Sequence, residues 1–555
     1  MPSGNWVEAV DWREDASELA GNHSLSPDTA MFLAFLFPDA ESRRPFLDET
    51  PLRFPAPNTF TALWDAADRL SSAVRSGESI LVHGDYDVDG LMGTATLVGG
   101  LRALGGRVTS FVPSRFDGGY GLSNRSLDFV RKEGVSLVLT TDCGTNASEV
   151  GAAIIEAGID LIVTDHHAPA PGCQPPGWIV NPHVERNGDE GELQTLCGAS
   201  VAFMLLRATA RHLGMSLPDE PFLRLCAIAT VSDVVPMSIL NRKICLAGFK
   251  ALEETPNPGL AQLLSKCSFP MPVKSHHVTF FLAPRFNAAG RMQDAGLVLD
   301  LLLEKRADRA SKMIGLLEKL NRERKVCQEA ALVEAVGVVG GKESRVAFGA
   351  SPNWHRGVLG PVAARVSERF EKSAFIVSVD GDEGTGSARS FGNDNVTQML
   401  ADAEGCLVRF GGHKAAAGFT VRSDRLQDLE SALGSFPEVE GDRPSKRYVV
   451  LGREALDAAW VTLQSLDPLG PAAADPWIAL EDVKPQGCRT VKGRHLIWEV
   501  STREGESLNL IAWDGIERGL DEKALEGTKR VVGRLAPEAF RRARSPYYFQ
   551  VEGVI

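Results

Sequence analysis

Residues 79–90 read SILVHGDYDVDG, an apolar run that ends in a histidine and three aspartates. The apolar run predicts a buried strand, and the following LMGTATLVGGL predicts a helix, which places His83, Asp85, Asp87 and Asp89 at a strand-to-helix turn. Carboxylates this close together repel one another unless cations neutralise them. The segment therefore predicts a site for divalent metal ions, although aspartates at such a turn can also serve only as turn formers and helix caps.

Three further segments carry metal-ligand side chains at comparable positions. Asp142 follows the strand-like run VSLVLT, and His166 and His167 follow IDLIV. Asp233 lies in ATVSDVVP, an apolar segment predicted to be helical, where a buried carboxylate needs a partner or a metal ion. Each segment alone has a plainer explanation, as a helix cap or an ordinary surface histidine pair. Taken together and in this order, they predict one metal centre.

The spacing of the apolar runs predicts the sheet that brings these segments together. Between residues 79 and 182, short apolar runs alternate with helical patterns at intervals of about 20 to 30 residues, which is typical of βαβ units and a parallel sheet. Functional residues of such a sheet lie at the carboxyl ends of its strands. A mixed set of oxygen and imidazole ligands favours Mn²⁺ or Mg²⁺, and two such ions about 3.5–4 Å apart can activate a water and stabilise the leaving oxygen of an attack at phosphorus.

The patterning of the whole chain predicts an α/β protein with five regions. Long stretches of helical spacing, a second α/β pattern and a final series of short β-type runs follow the parallel sheet. The predicted regions are a helical N-terminal extension (1–60), the parallel-sheet catalytic domain (61–295), a long connecting helix (296–339), a second α/β lobe (340–440) and a small C-terminal β-barrel (441–555).

Composition narrows the class of protein. The 555 residues include 59 lysines and arginines and 72 aspartates and glutamates, a net charge of −13, which is the wrong sign for a protein that coats nucleic acid with its whole surface. Any contact with nucleic acid is therefore predicted to be a local basic track. Neither a signal-like start nor an apolar run of about 18 residues is present, so we expect a cytoplasmic protein without a membrane segment.

The four metal-ligand segments resemble the successive motifs of the DHH phosphoesterase family: DYDVDG, TDCG, Asp165-His166-His167 and VSDVVP. The resemblance implies roles for particular residues. The positions that match metal ligands of the family are His83, Asp87, Asp89, Asp142, His166 and Asp233. Asp142 matches a carboxylate that bridges both ions, and His167 matches the residue that faces the scissile phosphate. Asp85 and Asp165 would orient ligands or water. Small pyrophosphatases share these motifs, so the motifs predict the chemistry and leave the substrate open.

Segments outside the metal motifs predict where the substrate binds. LAPRFNAAGRM (282–292) is similar to a segment of the exonucleases of this family, and its Arg285, Asn287 and Arg291 suit phosphate contact, although a basic surface turn is the plainer interpretation. In the second lobe, GSARS and GGHKAAAG resemble the DHH-associated domain. The glycines of that loop would let backbone N–H groups reach phosphate oxygens. The substrate-binding residues predicted in this lobe are His355, Ser387, Arg389, Gly411, Gly412 and His413.

The resemblance also implies a fixed site for the end of the substrate. Arg115 and Tyr120, together with Ser387 and Arg389, match positions that hold a terminal 5′ phosphate. Capture of that phosphate at a set distance from the metal centre would explain 5′→3′ polarity. In the C-terminal region, basic residues alternate with aromatic ones, as in an OB-fold that follows a single strand by charge and stacking. The tryptophans Trp498 and Trp513 could equally be core residues.

The resemblance therefore predicts a single-stranded-DNA-specific 5′→3′ exonuclease that uses two divalent cations, Mn²⁺ or Mg²⁺, to release 5′ mononucleotides in DNA repair and recombination. It implies a monomer that works with a helicase and a single-strand-binding protein. One alternative is a hydrolase of short oligonucleotides or small phosphate compounds, which would need only the first two lobes. A second alternative is a DNA-binding scaffold without catalysis, which would be expected to have lost metal ligands.

Overall fold

The computed structural model describes residues 6–56, 61–116, 121–184, 190–341, 343–437, 446–473, 476–481, 483–501, 507–516, 518–526, 528–537 and 545–555. The chain forms two compact units. The terminal unit comprises Met1–Pro51, Pro236–Arg242 and Asp442–Ile555, and the central unit comprises Leu52–Val235 and Lys243–Gly441.

The strands are β1 (Trp6–Glu8), β2 (Ser79–Gly84), β3 (Arg107–Phe111), β4 (Leu137–Thr141), β5 (Asp160–Thr164), β6 (Trp178–Val180), β7 (Ala347–Ser351), β8 (Ala374–Asp380), β9 (Glu383–Arg389), β10 (Leu407–His413), β11 (Ala416–Arg422), β12 (Lys446–Leu451), β13 (Trp477–Glu481), β14 (Gly487–Val491), β15 (His495–Ser501), β16 (Ser507–Ala512), β17 (Arg530–Pro537) and β18 (Tyr547–Val554). The helices are α1 (Trp12–His23), α2 (Pro27–Leu36), α3 (Ala40–Leu47), α4 (Thr61–Ser76), α5 (Val88–Ala103), α6 (Asn124–Glu133), α7 (Ser148–Glu156), α8 (Glu190–Leu193), α9 (Gly198–His212), α10 (Glu220–Ser232), α11 (Ile239–Glu253), α12 (Pro258–Cys267), α13 (Ser275–His277), α14 (Ala283–Met292), α15 (Gly296–Leu303), α16 (Ala307–Gly340), α17 (Leu359–Phe370), α18 (Val396–Asp402), α19 (Leu426–Gly434) and α20 (Leu456–Leu466).

The first lobe of the central unit is built on the predicted parallel sheet. Its strand order is β3-β2-β4-β5-β6, and every neighbouring pair is parallel. Leu81, Val138 and Ile162 are fully buried, as expected for strands covered by helices on both faces. The prediction of an α/β domain is confirmed, and the carboxyl ends of β2, β4 and β5 lie side by side at one edge of the sheet.

The second lobe is a five-stranded sheet with the order β10-β11-β9-β8-β7. Only the pair β7 and β8 is parallel. On one face of the sheet, Ala347 and Ile376 form a core with α16 and α17. On the other face, Phe375 and Phe419 form a core with α18 and α19. The predicted second α/β lobe is therefore present.

The predicted connecting helix is found as two helices, α15 and α16, with Glu304–Arg306 between them. At Arg306 the backbone is extended (φ −99°, ψ 121°), and the 34-residue helix α16 begins at the next residue. Sequence periodicity did not reveal this break, because apolar residues continue at helical spacing on both sides of it. None of the helices in the described part of the chain is both long enough and apolar enough to span a bilayer.

An ion pair in the second lobe is expected to contribute strongly to its stability. Arg345 donates two hydrogen bonds to Asp394, at 2.9 and 2.6 Å, and Ser373 donates a third. Burial alone would raise the pKa of Asp394, but these hydrogen bonds hold it below its ordinary value. We expect Asp394→Ala to destabilise the lobe by about 3–5 kcal/mol, because it leaves the Arg345 guanidinium mostly buried without its carboxylate.

Denaturant unfolding of the full chain measures this effect. Asp424→Ala, which removes an exposed ion pair with Arg422, is the matched control and should leave the stability nearly unchanged, because solvent screens an exposed pair. Because the folded state lowers the pKa of Asp394, its contribution should be complete above the unfolded pKa and be lost as the pH falls through the folded pKa. Equal shifts for the two variants would contradict the expectation.

The terminal unit joins the two ends of the chain in one sheet and one core. Its eight strands have the order β1-β12-β13-β17-β18-β16-β15-β14, and β1 pairs in parallel with β12. Phe32 and Phe35 of α2 share a core with Trp498 and Phe549 of the C-terminal strands. The C-terminal sheet is consistent with the predicted OB-fold. The N-terminal helices are present as predicted, but they pack in the same unit as the barrel, and the prediction missed β1.

Two aromatic residues of the C-terminal region have different environments. Trp498 is fully buried, and its Nε1 donates to the carbonyl of Glu522 at 2.9 Å, so it is a core residue. Trp513 is partly buried and donates to the Tyr548 hydroxyl at 3.1 Å. Of this pair, Trp513 is the residue left with a partly accessible ring.

Candidate metal centre

The strand ends of the first lobe bring most of the predicted ligands together. Three overlapping groups each have ligand atoms within 4.8 Å of one another. The groups are Asp142 with His166 and His167, Asp89 with His166 and Asp233, and Asp85 with Asp87 and Asp142. Because Asp142 and His166 each belong to two groups, the arrangement is one continuous cluster of donors.

Asp142 lies at the middle of the cluster. It follows β4 in the left-handed conformation (φ 60°), which turns its side chain away from the strand direction. Its Oδ1 lies 3.1 Å from Nε2 of His166. The same imidazole nitrogen lies 3.6 Å from Oδ2 of Asp89 and 3.5 Å from Oδ2 of Asp233. One histidine nitrogen therefore faces three carboxylates.

The N-terminus of α9 fixes Asp89. Gly198 N–H donates to Oδ2 at 2.6 Å, and Ala199 N–H donates to Oδ1 at 2.8 Å. A helix N-terminus is a favourable environment for a carboxylate because its first N–H groups have no partner within the helix. Sequence reasoning missed this contribution, since Gly198 is separated from Asp89 by 109 positions. The only hint in the sequence was a glycine at the start of the predicted helix.

Burial and mutual repulsion oppose ionisation of these carboxylates. Burial first, and then the charge of Asp87, raise the pKa of Asp85 to about 8. Burial, followed by the charges of Asp89 and Asp87, likewise raises the pKa of Asp233 to about 8. For Asp142, burial and the four neighbouring aspartates raise the pKa well above its ordinary value. Cations within the cluster would remove this repulsion.

Two further observations fit a divalent cation. Both carboxylate oxygens of Asp85 are buried and have no hydrogen-bond partner among the described residues, and the same is true of His166 Nε2. Buried polar atoms in native proteins almost always have a partner. Oxygen and imidazole donors suit Mn²⁺ and Mg²⁺, so the residues present fit the predicted cofactors.

Asp165 and His167 form a pair beside the cluster. Asp165 Oδ1 accepts a hydrogen bond from His167 Nδ1 at 2.8 Å, and Oδ2 accepts from the Thr145 N–H at 3.0 Å. Although burial alone would raise it, the pKa of Asp165 is lowered to about 2 by His167. Burial would lower the pKa of His167, but the bond to Asp165 raises it to about 9. The predicted orienting role of Asp165 agrees with this geometry and stays a prediction for catalysis.

His83 is placed outside the three donor groups. It is fully buried, and its Nε2 lies 2.8 Å from the Ser126 hydroxyl. Its Nδ1 lies 3.8 Å from the Cys143 sulfur. Burial lowers the pKa of His83 to about 4, so the ring is neutral. The structure instead places Asp85, which we expected to orient ligands, among the candidate ligands. The ligand role of His83 stays a prediction.

Four arginines of the central unit lie close to one another: Arg115, Arg291, Arg324 and Arg389. Arg115 lies over the ring of Tyr86, with its guanidinium carbon 4.3 Å from the ring centroid, and its Nε is buried without a partner among the described residues. Burial first, and then the charges of Arg115, Arg324 and Arg389, lower the pKa of Arg291 to about 10. A cluster of buried cations is favourable where an anion binds.

The other predicted substrate residues have varied environments. Arg285 donates through Nε to Glu318 at 2.6 Å and through Nη1 to the Phe281 carbonyl at 2.7 Å. Asn287 is half-buried on α14. Arg389 donates to the Ser387 hydroxyl at 3.0 Å. His355 Nδ1 accepts from the Gly357 N–H at 3.1 Å.

The glycine-rich loop is exposed in the structure. Gly411, Gly412 and His413 are all exposed at the end of β10, and Gly412 has a positive φ of 148°. Tyr120 lies outside the described residues.

The parallel sheet, the donor cluster at its edge and the second lobe define a metal-dependent phosphoesterase. The model of the DHH family, N-terminal domain, matches residues 79–230, and the model of the DHHA1 domain matches residues 337–437. The first match covers every residue of the three donor groups except Asp233, and the second covers the whole second lobe.

Curated relatives identify the branch of the family. The chain is 35% identical to the single-stranded-DNA-specific exonuclease RecJ of Thermus thermophilus, over 86% of this chain and 69% of that protein. It is 30% identical to RecJ of Bacillus subtilis, over 92% of this chain and 65% of that protein. A crystal structure of RecJ from Thermus thermophilus in complex with Mn²⁺ matches 99% of this chain and 79% of that chain, with a TM-score of 0.80 and 30% identity. The chain therefore belongs to the RecJ family of DHH exonucleases.

The relatives differ from this chain in length. The chain spans about two thirds of the Bacillus and Thermus relatives it matches, at 65% and 69%.

A second crystal structure of RecJ from Thermus thermophilus contains Mg²⁺ and matches 99% of this chain and 78% of that chain, with a TM-score of 0.74 and 28% identity. The predicted family and fold class are confirmed by these matches.

Proposed function

We propose that this chain is a single-stranded-DNA-specific 5′→3′ exonuclease that hydrolyses phosphodiester bonds with two divalent cations, Mn²⁺ or Mg²⁺, and releases 5′ mononucleotides. One observation carries the proposal. The donor cluster and the arginine cluster meet at a single residue, since Tyr86 lies between Asp85 and Asp87 and its ring supports Arg115. A phosphate held by the arginines would therefore lie at a fixed distance from the metal ligands.

The residues of the cluster would divide the chemical work. Asp85, Asp87, Asp89, Asp142, His166 and Asp233 would hold the two cations. Bound divalent cations supply Lewis acidity and lower the pKa of a bound water. His167, whose side chain is about one third exposed beside the cluster, would donate a hydrogen bond to the scissile phosphate. Asp165 would keep the His167 ring protonated and in one orientation, because it accepts from Nδ1.

The arginine cluster would select the end of the strand. Arg115 and Arg389 present guanidinium groups that suit bidentate contact with a phosphate, and Ser387 adds a hydroxyl. Nothing comparable is needed at a 3′ end, which carries no terminal phosphate. The predicted polarity follows if only a chain with a 5′ phosphate reaches both clusters.

Arg389→Ala tests the end-recognition step. We expect the variant to lose at least about tenfold of its preference for 5′-phosphorylated over 5′-hydroxyl single strands, because a charge-assisted bond contributes about 1.5–3 kcal/mol. The ratio of kcat/KM for two matched end-labelled DNAs measures the preference. Arg425→Ala, an exposed arginine paired with Asp428 on α19, is the control. An unchanged ratio in Arg389→Ala would rule out this role.

The substrate itself is tested with the full chain, Mn²⁺ and three end-labelled substrates: single-stranded DNA, duplex DNA and dinucleotides. Stepwise degradation of only the single strand from its 5′ end supports the proposal. Faster hydrolysis of dinucleotides would favour the alternative, a hydrolase of short oligonucleotides. Binding without hydrolysis under Mn²⁺ and Mg²⁺ would favour a scaffold.

The cellular setting follows from the same family membership. We propose that the protein acts in the cytoplasm in DNA repair and recombination, as a monomer that receives single strands from a helicase and competes with a single-strand-binding protein. Light scattering of the full chain in solution tests the monomer. A dimer at micromolar concentration would contradict it.

A further inference from the structure

A cavity of about 300 Å³ lies between the two lobes of the central unit and was not predicted from the sequence. Tyr86 and Arg115 of the first lobe line one side of it. Residues of β9, β10 and β11 line the other side, including Thr385, Arg409 and Thr420. Its volume is at the lower end of the range of about 300–1,000 Å³ found for small-ligand sites. One of its lining residues, Arg115, also belongs to the arginine cluster.

Strand register explains the shape of the cavity. Ser387, Gly418 and Gly411 are paired across β9, β11 and β10, and side chains two positions apart on a strand share a face. A Cβ added at Gly411 would meet nothing within 4 Å, and one added at Gly418 would meet only the Gly386 carbonyl, at 4.0 Å. The two glycines therefore form a flat floor of bare peptide groups beside the Ser387 side chain.

The adjacent row forms a polar end wall. Thr385 is paired with Thr420, and Thr420 is paired with Arg409, so the three side chains lie on the same face as Ser387. Arg409 is exposed, and its Nε donates to the Thr420 hydroxyl at 3.3 Å. Arg409, Thr385 and Thr420 all line the cavity, so its wall carries one guanidinium and two hydroxyl groups.

We propose that this cavity binds the nucleobase of the 5′-terminal nucleotide, and that Arg409 is the residue that recognises it. The inference rests on the proposed function, because it requires the terminal phosphate to lie at Arg115 and Arg389. The group attached next to that phosphate is the sugar and base of the first nucleotide. A flat peptide floor suits a planar ring, and an arginine can stack on a base or donate to its edge.

The chemistry of the wall suits all four bases. A threonine hydroxyl both donates and accepts, and a guanidinium can stack on any base, so the wall does not demand one pattern of donors and acceptors. An exonuclease that removes successive nucleotides needs such tolerance. A 5′-triphosphate end would instead place a second phosphate beyond the terminal one. Arg409 is the only cation besides Arg115 among the described residues that line the cavity.

The test uses the full chain with Mn²⁺ and two 5′-phosphorylated single strands that differ only in the first residue, which is a normal nucleotide in one and an abasic residue in the other. We expect the wild type to cleave the normal strand with a kcat/KM about tenfold higher, since stacking of one base on a protein side chain contributes about that factor. Arg409→Ala should lower kcat/KM for the normal strand to the abasic level and leave the abasic strand unchanged. Arg422→Ala, an exposed arginine at the end of β11 that is paired with Asp424, should change neither value.

Each other outcome overturns the inference. A loss in Arg409→Ala that is equal for both strands would mean that Arg409 attracts the backbone without reading a base. A loss confined to a third strand with a 5′ triphosphate would assign the cavity to an added phosphate. Equal cleavage of both strands by the wild type would show that the base is not bound there, while the exonuclease function would still stand. If the wild type degraded no single strand at all, the proposed function itself would fail.

Discussion

Replacing Asp142 with alanine is expected to lower the rate of phosphodiester hydrolysis by at least about a thousandfold, because metal ions supply several kcal/mol of transition-state stabilisation and each 1.36 kcal/mol is a factor of ten. Asp142 belongs to two of the three donor groups, so its loss affects the binding of both cations. The measurement is single-turnover degradation of end-labelled single-stranded DNA with saturating Mn²⁺. DNA binding should remain, because the predicted OB-fold of the terminal unit contains none of the proposed metal ligands.

A second measurement separates loss of metal binding from loss of folding. In metal-free protein, Asp142 is buried among four other aspartates that raise its pKa, so removing it relieves repulsion. We therefore expect the metal-free variant to be at least as stable as the wild type. Saturating Mn²⁺, which would stabilise the wild type by about 2.7 kcal/mol at one hundred times its Kd, should stabilise the variant much less. Equal stabilisation of both proteins by Mn²⁺ would contradict the assignment of Asp142 as a ligand.

Much of this site was predictable because its residues follow strands. Asp85, Asp142 and His166 each stand within two residues of the end of a strand, and parallel strands place their carboxyl ends at one edge of a sheet. Local pattern and a general rule of topology were sufficient here. The types of donor side chain then predicted the metal ions, since carboxylates and imidazole together suit Mn²⁺ and Mg²⁺.

The features that the sequence did not predict depend on contacts between residues far apart in the chain. The hydrogen bond of His83 to Ser126 joins residues 43 positions apart, and the ion pair of Arg285 with Glu318 joins residues 33 positions apart. No local pattern predicts which side chain will face another after folding. The shared core of Phe35 and Phe549 shows the same limit at the level of domains, because the two ends of the sequence had been assigned to separate regions.

The cavity between the lobes illustrates why register matters more than motif. Arg409 stands two residues before the glycine-rich loop and had no feature in the sequence that separated it from other surface arginines. Only the pairing of β9, β11 and β10 places it beside Thr420 and on the face of Ser387. A binding residue on a sheet is defined by its neighbours across the strands, which the sequence does not list in order.

Gly198→Ala is expected to lower kcat by about a hundredfold, although Gly198 has no side chain that touches the substrate. A Cβ at this position would lie 2.7 Å from the Cβ of Asp142 and 2.9 Å from its Cα, closer than real Cβ atoms approach other atoms. Either Asp142 or the start of α9 must therefore shift. A shift of α9 would also lengthen the Gly198 N–H bond to Asp89, which is 2.6 Å in the structure. Two ligands would be misplaced at once, and a displacement of about 1 Å costs about a hundredfold in rate.

The dependence of the rate on Mn²⁺ concentration shows whether the effect of Gly198→Ala comes through the ligands. We expect half-maximal activity to need about 10–100-fold more Mn²⁺, as for other changes that disturb the support of metal ligands. Gly315→Ala is the matched control, because a Cβ there meets nothing within 4 Å and an exposed helix gains about 0.5–1 kcal/mol from the substitution. If Gly198→Ala kept the activity and the Mn²⁺ dependence of the wild type, the backbone near Gly198 could accept the added Cβ without moving Asp142. The rigid geometry proposed for the metal centre would then be wrong.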